Sequence, residues 1–88
     1  MRRTKIDIMN DMLTAIQNKG GKIKPTHMMY KANLSHKLLS KYIAEFTEKD
    51  LIGTEMVKKQ KYYVLTDKGI EFINHYRKMK EFKDLFDV

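Results

Sequence analysis

The sequence predicts a mostly helical α+β fold in which a helix-turn-helix is followed by a β-hairpin and a separate last helix. Three observations predict it. Apolar residues recur at intervals of three and four in several segments, a very short turn joins two of these segments, and two β-prone runs lie before the last one. The 88 residues, 42% hydrophobic and 33% charged, suit one compact domain with an appended element.

The first predicted helix covers residues 4–19. Its apolar residues recur at helical spacing and therefore share one face. They are Ile6, Met9, Leu13 and Ile16. Thr4 is placed to cap the start of this helix, and Gly20 is placed to end it in a left-handed conformation.

A second helix is predicted to begin at Pro25, whose missing N–H costs nothing in a first turn, and to end near Ala32. Met28 and Met29 are the expected inward side chains of this helix. Ile23, just before the helix, is a candidate for a very short strand. Asn33 tolerates a left-handed conformation, and Ser35 can cap a third helix by accepting a hydrogen bond from a free backbone N–H. Two helices joined by so short a turn form a helix-turn-helix.

The third helix, predicted to reach about Lys49, has two distinct faces. At roughly 100° per residue, the larger apolar residues fall on one side and small or basic residues on the other. The inward set is Leu38, Leu39, Tyr42, Ile43 and Phe46. The outward set is Lys37, Ser40, Lys41 and Ala44.

The runs "LIGTEMV" and "KYYVL" alternate as the strands of a hairpin do. Its expected buried side chains are Met56, Tyr63 and Leu65, and its tip carries Lys58, Lys59, Gln60 and Lys61. Thr66 then caps a last helix that runs to about Phe86, and Ile70 and Ile73 near its start are expected to seal the core.

Further along the last helix, apolar residues continue at alternating spacings of three and four. We call this the apolar strip of the last helix (later the α4 strip, after that helix's number in the structure); it consists of Phe72, His75, Met79, Phe82 and Phe86, with Tyr76 and Leu85 flanking it. A strip that extends past a small core needs another surface to cover it, which predicts dimerisation through this helix. The alternative is that the helix folds back along its own domain.

The net charge is +7, from 18 Lys plus Arg against 11 Asp plus Glu, and its distribution is uneven. Residues 12–44 contain no acidic residue. The lysines inside this acid-free segment are Lys19, Lys22, Lys24, Lys31, Lys37 and Lys41. A phosphate-binding face needs such an asymmetry, because carboxylates would repel the ligand.

No motif supports catalysis, a cofactor or a metal. A glycine-rich phosphate loop, a recognisable pair of carboxylates and a nucleophile next to a base are all missing from the sequence. His27, His36 and His75 are scattered over different elements, and cysteine is absent, which excludes disulfides and cysteine-based metal sites. Because no apolar run approaches the roughly 20 residues that cross a bilayer, the sequence predicts an intracellular, cytoplasmic protein.

The element order is that of a winged helix-turn-helix over residues 1–66, with an added C-terminal dimerisation helix over residues 67–88. This order predicts a protein that binds double-stranded DNA, with Lys37, Ser40 and Lys41 entering the major groove and His36 assisting. Lys58, Lys59 and Lys61 would hold phosphates, and a mobile basic arm would contribute Arg2, Arg3 and Lys5. A winged-helix adaptor that binds other proteins, or an RNA-binding protein, remains an alternative.

The segments "THMMYKANLSHKLLSKYI", "DLI" and "YYVLTDKGIEFINHY" resemble those of small archaeal winged-helix transcription regulators and chromatin proteins, including the ten-a type. The resemblance spans most of the chain. It implies DNA binding, and dimerisation through a long antiparallel C-terminal helix over residues 67–86. Asp50 stands where glycine is common in that family, so it is expected either to adopt a less easy backbone conformation or to end the helix differently.

Overall fold

The computed structural model describes residues 3–86 and contains four helices and one small sheet. The helices are α1 (Lys5–Asn18), α2 (Pro25–Lys31), α3 (His36–Glu48) and α4 (Asp67–Phe86). The strands are β1 (Lys22–Ile23), β2 (Ile52–Val57) and β3 (Gln60–Leu65). The sheet is antiparallel in the order β1-β3-β2. Tyr63 of the central strand pairs with Ile23 of β1 on one edge and with Thr54 of β2 on the other edge.

The helix starts follow from local hydrogen bonds, and the predicted caps are confirmed. The Thr4 hydroxyl accepts from the N–H of Asp7 at 3.2 Å, and the Asp7 carboxylate accepts from the N–H of Thr4 at 3.0 Å, which completes a capping box. The Ser35 hydroxyl accepts from the N–H of Leu38 at 3.2 Å. Thr66 accepts from the N–H of Gly69 at 3.0 Å and donates to the carbonyl oxygen of Asp50 at 2.8 Å.

The turns that end the helices use left-handed residues where the sequence predicts them. Gly20 has a φ of 84°, and Asn33, between α2 and α3, has a φ of 53°. Asp50 after α3 has a φ of 61°, so the expected less easy backbone conformation is confirmed there.

Helix α1 lies at the centre of the core and packs against α2, α4, β1 and β3. The fully buried side chains come from α1, α2, α3 and the sheet, so one core joins these elements. They are Met12, Leu13, Ile16, Ile23, Met28, Phe46 and Ile52. Partly buried residues at the edge of this core are Met29, Tyr42, Ile43, Leu65 and Phe72.

Four residues that the spacing predicts to point inward are exposed instead: Ile6, Leu38, Met56 and Ile70. Met56 is the clearest case, because it is 62% exposed although it lies on the same face of the hairpin as the buried Tyr63. The alternation of side chains along the strand correctly predicts the face on which Met56 lies. At Met56, however, the hairpin already extends past the core, so the core does not cover this side chain. The prediction that Met56 is buried is therefore wrong.

Helix α4 packs against α1 over its first half only. Gly69 and Ile73 are buried, and the hydroxyl of Tyr76 donates to Oδ1 of Asp7 at 2.6 Å. Every residue from 77 to 86 is exposed, so this part of a helix about 30 Å long extends past the core. The molecule is correspondingly elongated, with extents of 48 × 26 × 22 Å. Between residues 3 and 86, none of the helices has the length and apolar character needed to cross a membrane.

Gly69 offers a test of the packing at the start of α4. A Cβ at this position would lie 2.5 Å from the carbonyl oxygen of Leu51 and 2.8 Å from Cδ1 of Leu65. Gly69→Ala is therefore expected to lower the free energy of unfolding by about 1–3 kcal/mol, as overpacking does. Helix propensity alone predicts the opposite sign, a gain of about 1 kcal/mol. Urea denaturation measures the effect.

The control is Asn74→Ala, at an exposed position of the same helix, where the alanine is expected to be neutral or slightly stabilising. Equal stabilisation by both alanines would contradict the close packing of Gly69 against Leu51 and Leu65.

Candidate nucleic-acid interface

The outward face of α3 is arranged as the spacing predicts. Leu39 and Phe46 are buried, and this fixes the rotation of the helix against the core. The opposite side is exposed and carries Lys37, Ser40, Lys41 and Ala44. Because Ala44 is small and central to this face, another surface can approach the helix closely there.

Two acidic residues near the end of α3 limit the basic part of its surface. Glu45 pairs with Lys5 and lies 3.7 Å from Lys49, and the hydrogen bond from Lys5 lowers the pKa of this carboxyl. Glu48 is exposed, and the helical repeat places it on the outward face one turn after Ala44. The cationic part of the outward face therefore comprises the first two turns of α3, and the N-terminal part of a recognition helix is the part that contacts base edges.

A shallow depression of about 150 Å³ lies between α2, α3 and β3 and brings predicted residues together with one that the sequence reasoning missed. His36 and Ser40 of α3 border it, and so does Thr26 of α2. Its other lining residues are Pro25, Met29, Leu39 and Tyr63. The signal for Thr26 was its place in the first turn of α2, since a helix-turn-helix brings that end close to the start of α3.

The β2–β3 hairpin, which we call the wing, presents lysines at its tip. Lys58 and Lys59 form the two-residue turn and have φ values of 49° and 69°. Such turns normally use Asn-Gly or Gly-Gly, because both central residues need positive φ. Lys61 is exposed, and its Nζ lies 5.6 Å from the centre of the Tyr63 ring, on the face of the wing that borders the depression.

One lysine of the acid-free segment is neutralised across the sheet. The Nζ atom of Lys22 in β1 lies 3.3 Å from Oε1 of Glu55 in β2 and 5.7 Å from the centre of the Tyr62 ring in β3. Tyr62 is thus a half-buried residue on the sheet surface between these two charges. The acid-free segment of the sequence is therefore less basic in space than along the chain.

Arg3 is not part of a mobile arm, and that prediction is wrong for this residue. Its guanidinium donates to Asp11 at 2.9 Å, to the carbonyl oxygen of Ala32 at 2.6 Å and to that of Asn33 at 3.0 Å. These bonds fasten the start of the chain to the turn between α2 and α3. Lys5 is likewise held by Glu45. Arg2, the other predicted arginine of the arm, lies outside the described residues.

The predicted dimerisation residues fall into two groups. Phe72 packs against the protein's own core, and Tyr76 is half-buried and bonded to Asp7. The alternative of a helix folded back on its own domain therefore describes the first half of α4. The remaining four residues of the prediction are exposed, namely His75, Met79, Phe82 and Phe86. The rings of Phe82 and Phe86 lie 4.8 Å apart, centre to centre, on the exposed half.

A family model described as winged helix-turn-helix matches residues 2–84, nearly the whole chain. No curated protein matches the chain. Among solved structures, the chain is similar to Sso10a-2, a DNA-binding protein from Sulfolobus solfataricus, with a TM-score of 0.82 and 20% identity over 96% of this chain and 85% of that one.

It is also similar to F93 from STIV, a winged-helix DNA-binding protein, with a TM-score of 0.76 and 16% identity over 96% of this chain and 95% of that one. A third similar structure is TubR from Bacillus thuringiensis serovar israelensis, bound to 24 bp of tubC, with a TM-score of 0.70 and 20% identity over 90% and 99% of the two chains. These likenesses show the fold, and the predicted winged helix-turn-helix with a long last helix is confirmed.

The wing turn generates a prediction about stability. A left-handed conformation costs an ordinary residue about 1–2 kcal/mol, whereas Asn and Gly adopt it with ease. Lys58→Asn combined with Lys59→Gly is therefore expected to raise the free energy of unfolding by about 1–2 kcal/mol, measured by urea denaturation.

The matched control is Lys58→Gln combined with Lys59→Gln, which removes the same two charges and leaves the backbone cost in place. Identical denaturation midpoints for the two double variants would show that the turn carries no backbone strain.

Proposed function

Because the chain belongs to the winged helix-turn-helix family, we propose that it binds double-stranded DNA as a homodimer and acts as a transcription regulator or chromatin-associated protein of archaeal type. The family is one of DNA-binding regulators rather than enzymes. The proposed place of action is the cytoplasm, on the nucleoid.

The observation that carries this proposal is the cationic outward face of α3. Lys37, Ser40 and Lys41 are exposed around the small Ala44, and the carboxylates nearest to this face, Glu45 and Glu48, lie at its C-terminal end. A helix fits the major groove, which is about 12 Å wide, so these side chains would reach phosphates and base edges there. His36 and Thr26, which border the same depression as Ser40, would assist at its edge.

The wing supplies a second, sequence-independent contact in this proposal. Lys58 and Lys59 at the tip, and Lys61 on the face next to the depression, would hold the phosphate backbone beside the groove that α3 enters. Strain that persists in an exposed turn without glycine is consistent with a functional role for the two lysines. The three similar structures support DNA as the ligand, since each is described as DNA-binding or is bound to DNA.

The homodimer is proposed from the exposed half of the α4 strip. Met79, Phe82 and Phe86 recur every three or four residues and so form one apolar face, with Phe82 61% exposed and Phe86 59% exposed. Pairing with the same face of a second chain would remove these rings from water. The same strip favours the second candidate, an adaptor that binds a different protein through α4 and leaves α3 unoccupied.

DNA binding by α3 is tested with Lys37→Glu combined with Lys41→Glu. Because the two glutamates would repel phosphates, affinity for genomic duplex DNA is expected to fall at least tenfold in fluorescence anisotropy. For the parent protein, about six phosphate contacts per dimer predict a slope of log K against log salt of roughly −5.

The control, Arg77→Glu combined with Lys78→Glu, makes the same change of net charge on exposed residues of α4 and is expected to bind DNA as the parent does. Undiminished binding by the α3 variant, or a salt-independent affinity of the parent, would refute the proposed DNA contact and favour the adaptor.

The dimer is tested by sedimentation at micromolar concentration. The parent is expected to sediment as two chains and Phe82→Glu as one, because the new carboxylate would be buried without a partner at the centre of the strip. The control is Arg77→Gln, which makes the same change of net charge at an exposed position on the opposite side of the helix from the strip. A monomeric parent, or equal effects of both variants, would overturn the strip as the dimer contact.

A further inference from the structure

Helix α4 is anchored near its start and free beyond it. Gly69 and Ile73 are buried, and Tyr76 is the last residue of the helix that is even half-buried. The exposed half extends ten residues past Tyr76, which is about 15 Å of helix. The orientation of α4 is therefore decided at or before Tyr76.

The hydrogen bond from Tyr76 to Asp7 is a specific contact at this point. Within residues 3–86, it is the only side-chain hydrogen bond that links a residue of α4 to another element. The bond, together with the hydrogen bonds from Thr4, lowers the pKa of Asp7 to about 2, and together with partial burial it raises the pKa of Tyr76 to about 12. Lys80 nearby also lowers the pKa of Asp7, and Asp11 adds to the increase at Tyr76. The hydroxyl and the carboxylate therefore stay in the bonded protonation states throughout the neutral range.

The packing of apolar side chains does not by itself fix the tilt of α4 relative to α1. A groove of about 280 Å³ separates α1 from α4 next to Tyr76, and Ile73 lies at its base. The other residues that line it are Asn10, Thr14, Gln17, Arg77 and Lys80. Because this space is open, α4 has room to move towards α1, and the bond at Tyr76 opposes that movement.

Asp7 belongs to the part of α1 that also holds the recognition helix. Its carboxylate completes the capping box with Thr4, one residue after Arg3, which fastens the turn between α2 and α3. Lys5, in the same turn, pairs with Glu45 of α3. The contact at Tyr76 thus joins α4 to the end of α1 that also contacts α3 and the turn before it.

We propose that Tyr76 is a positioning residue whose bond to Asp7 sets the angle between α4 and α3, and thereby the separation of the two α3 helices in the dimer. The second part rests on the proposed homodimer. A tilt of about 10° at Tyr76 displaces the far end of α4 by about 2.5 Å, because some 15 Å of helix lie beyond it. Since half-sites on DNA are separated by a helical turn of about 34 Å, displacements of this size change which spacing the dimer fits.

The test is a distance measurement within one chain by double electron–electron resonance. The chain has no cysteine, so Thr47→Cys on α3 and Lys83→Cys on α4, both exposed, give a unique pair of spin labels. Labelled chains are diluted with unlabelled protein so that only distances within one chain are recorded. Tyr76→Phe is expected to broaden the distance distribution or shift its mean by up to about 2 Å, because the label lies about 10 Å of helix past Tyr76. The control is Tyr62→Phe, which removes a hydroxyl from another half-buried tyrosine and should leave the distribution unchanged.

A distribution for Tyr76→Phe that superimposes on the parent's would overturn the proposal. This readout needs neither DNA nor a dimer, so its failure is distinct from that of the proposed function. If the angle shifts but the parent sediments as one chain, the part that concerns the separation of the α3 helices is overturned. In a dimer, one label per chain at Thr47→Cys should show a shifted distance between the two α3 helices in Tyr76→Phe.

A second variant and a pH series keep the test decisive if Tyr76→Phe is poorly folded. Asp7→Asn keeps an oxygen acceptor for Tyr76 but removes the charge, so it should change the distance between the two labels less than Tyr76→Phe does. Adding Asp7→Asn to Tyr76→Phe should leave that distance as it is in Tyr76→Phe alone. Because the pKa of Asp7 is depressed from 3.8 to about 2, the stability from its bonds to Tyr76 and Thr4 is present above about pH 4 and is lost as pH falls through about 2. The difference in melting temperature between the parent and Tyr76→Phe should therefore shrink between pH 4 and pH 2, and a difference that stays constant over that interval would contradict the role of the Asp7 carboxylate.

Discussion

The burial of one face of α1 is the constraint on which the rest of the molecule depends. Met12, Leu13 and Ile16 are completely buried, and α2, α4, β1 and β3 all pack against this helix. Because α2 leads into α3 through a short turn and the sheet packs against α3 through β2, the position of α1 decides where α3 is presented as well as where α4 leaves the core. The first turn of α1 and the residues just before it carry the polar contacts that refine this arrangement, since the bonds of Arg3, Lys5 and Asp7 each fasten a different part of the chain.

The features that the sequence predicts well are those that depend on neighbouring residues. The caps at Thr4, Ser35 and Thr66 and the left-handed turn at Asn33 follow from local chemistry, and the structure contains all of them. Periodicity likewise identifies the outward face of α3. It cannot give the distance of a residue from the core, which is why Met56 on the correct face of the wing is exposed.

Contacts between distant parts of the chain were beyond sequence reasoning for a different reason. Asp7 and Tyr76 are 69 positions apart, and Arg3 reaches Asn33 over 30 positions, so no local pattern pairs them. The same applies to charge. Lys22 belongs to the acid-free segment, yet the sheet places Glu55 beside it. The sequence therefore predicts which side of α3 faces outward and forms the candidate site. It does not predict which of the cations remain available to a ligand. That His36, Lys37, Ser40 and Lys41 contact DNA stays a prediction.

The left-handed residues Asn33 and Asp50 have a consequence for how sequence variation in this protein should be interpreted. Both are exposed and polar, which is the usual profile of a binding residue, but their positive φ values restrict what can replace them. Glycine fits such a backbone readily, whereas valine and isoleucine do not. In a saturation mutagenesis experiment, these two positions would tolerate glycine and reject β-branched residues. A position that binds a ligand through its side chain would reject glycine as well, so this pattern separates constraint by the backbone from selection for recognition.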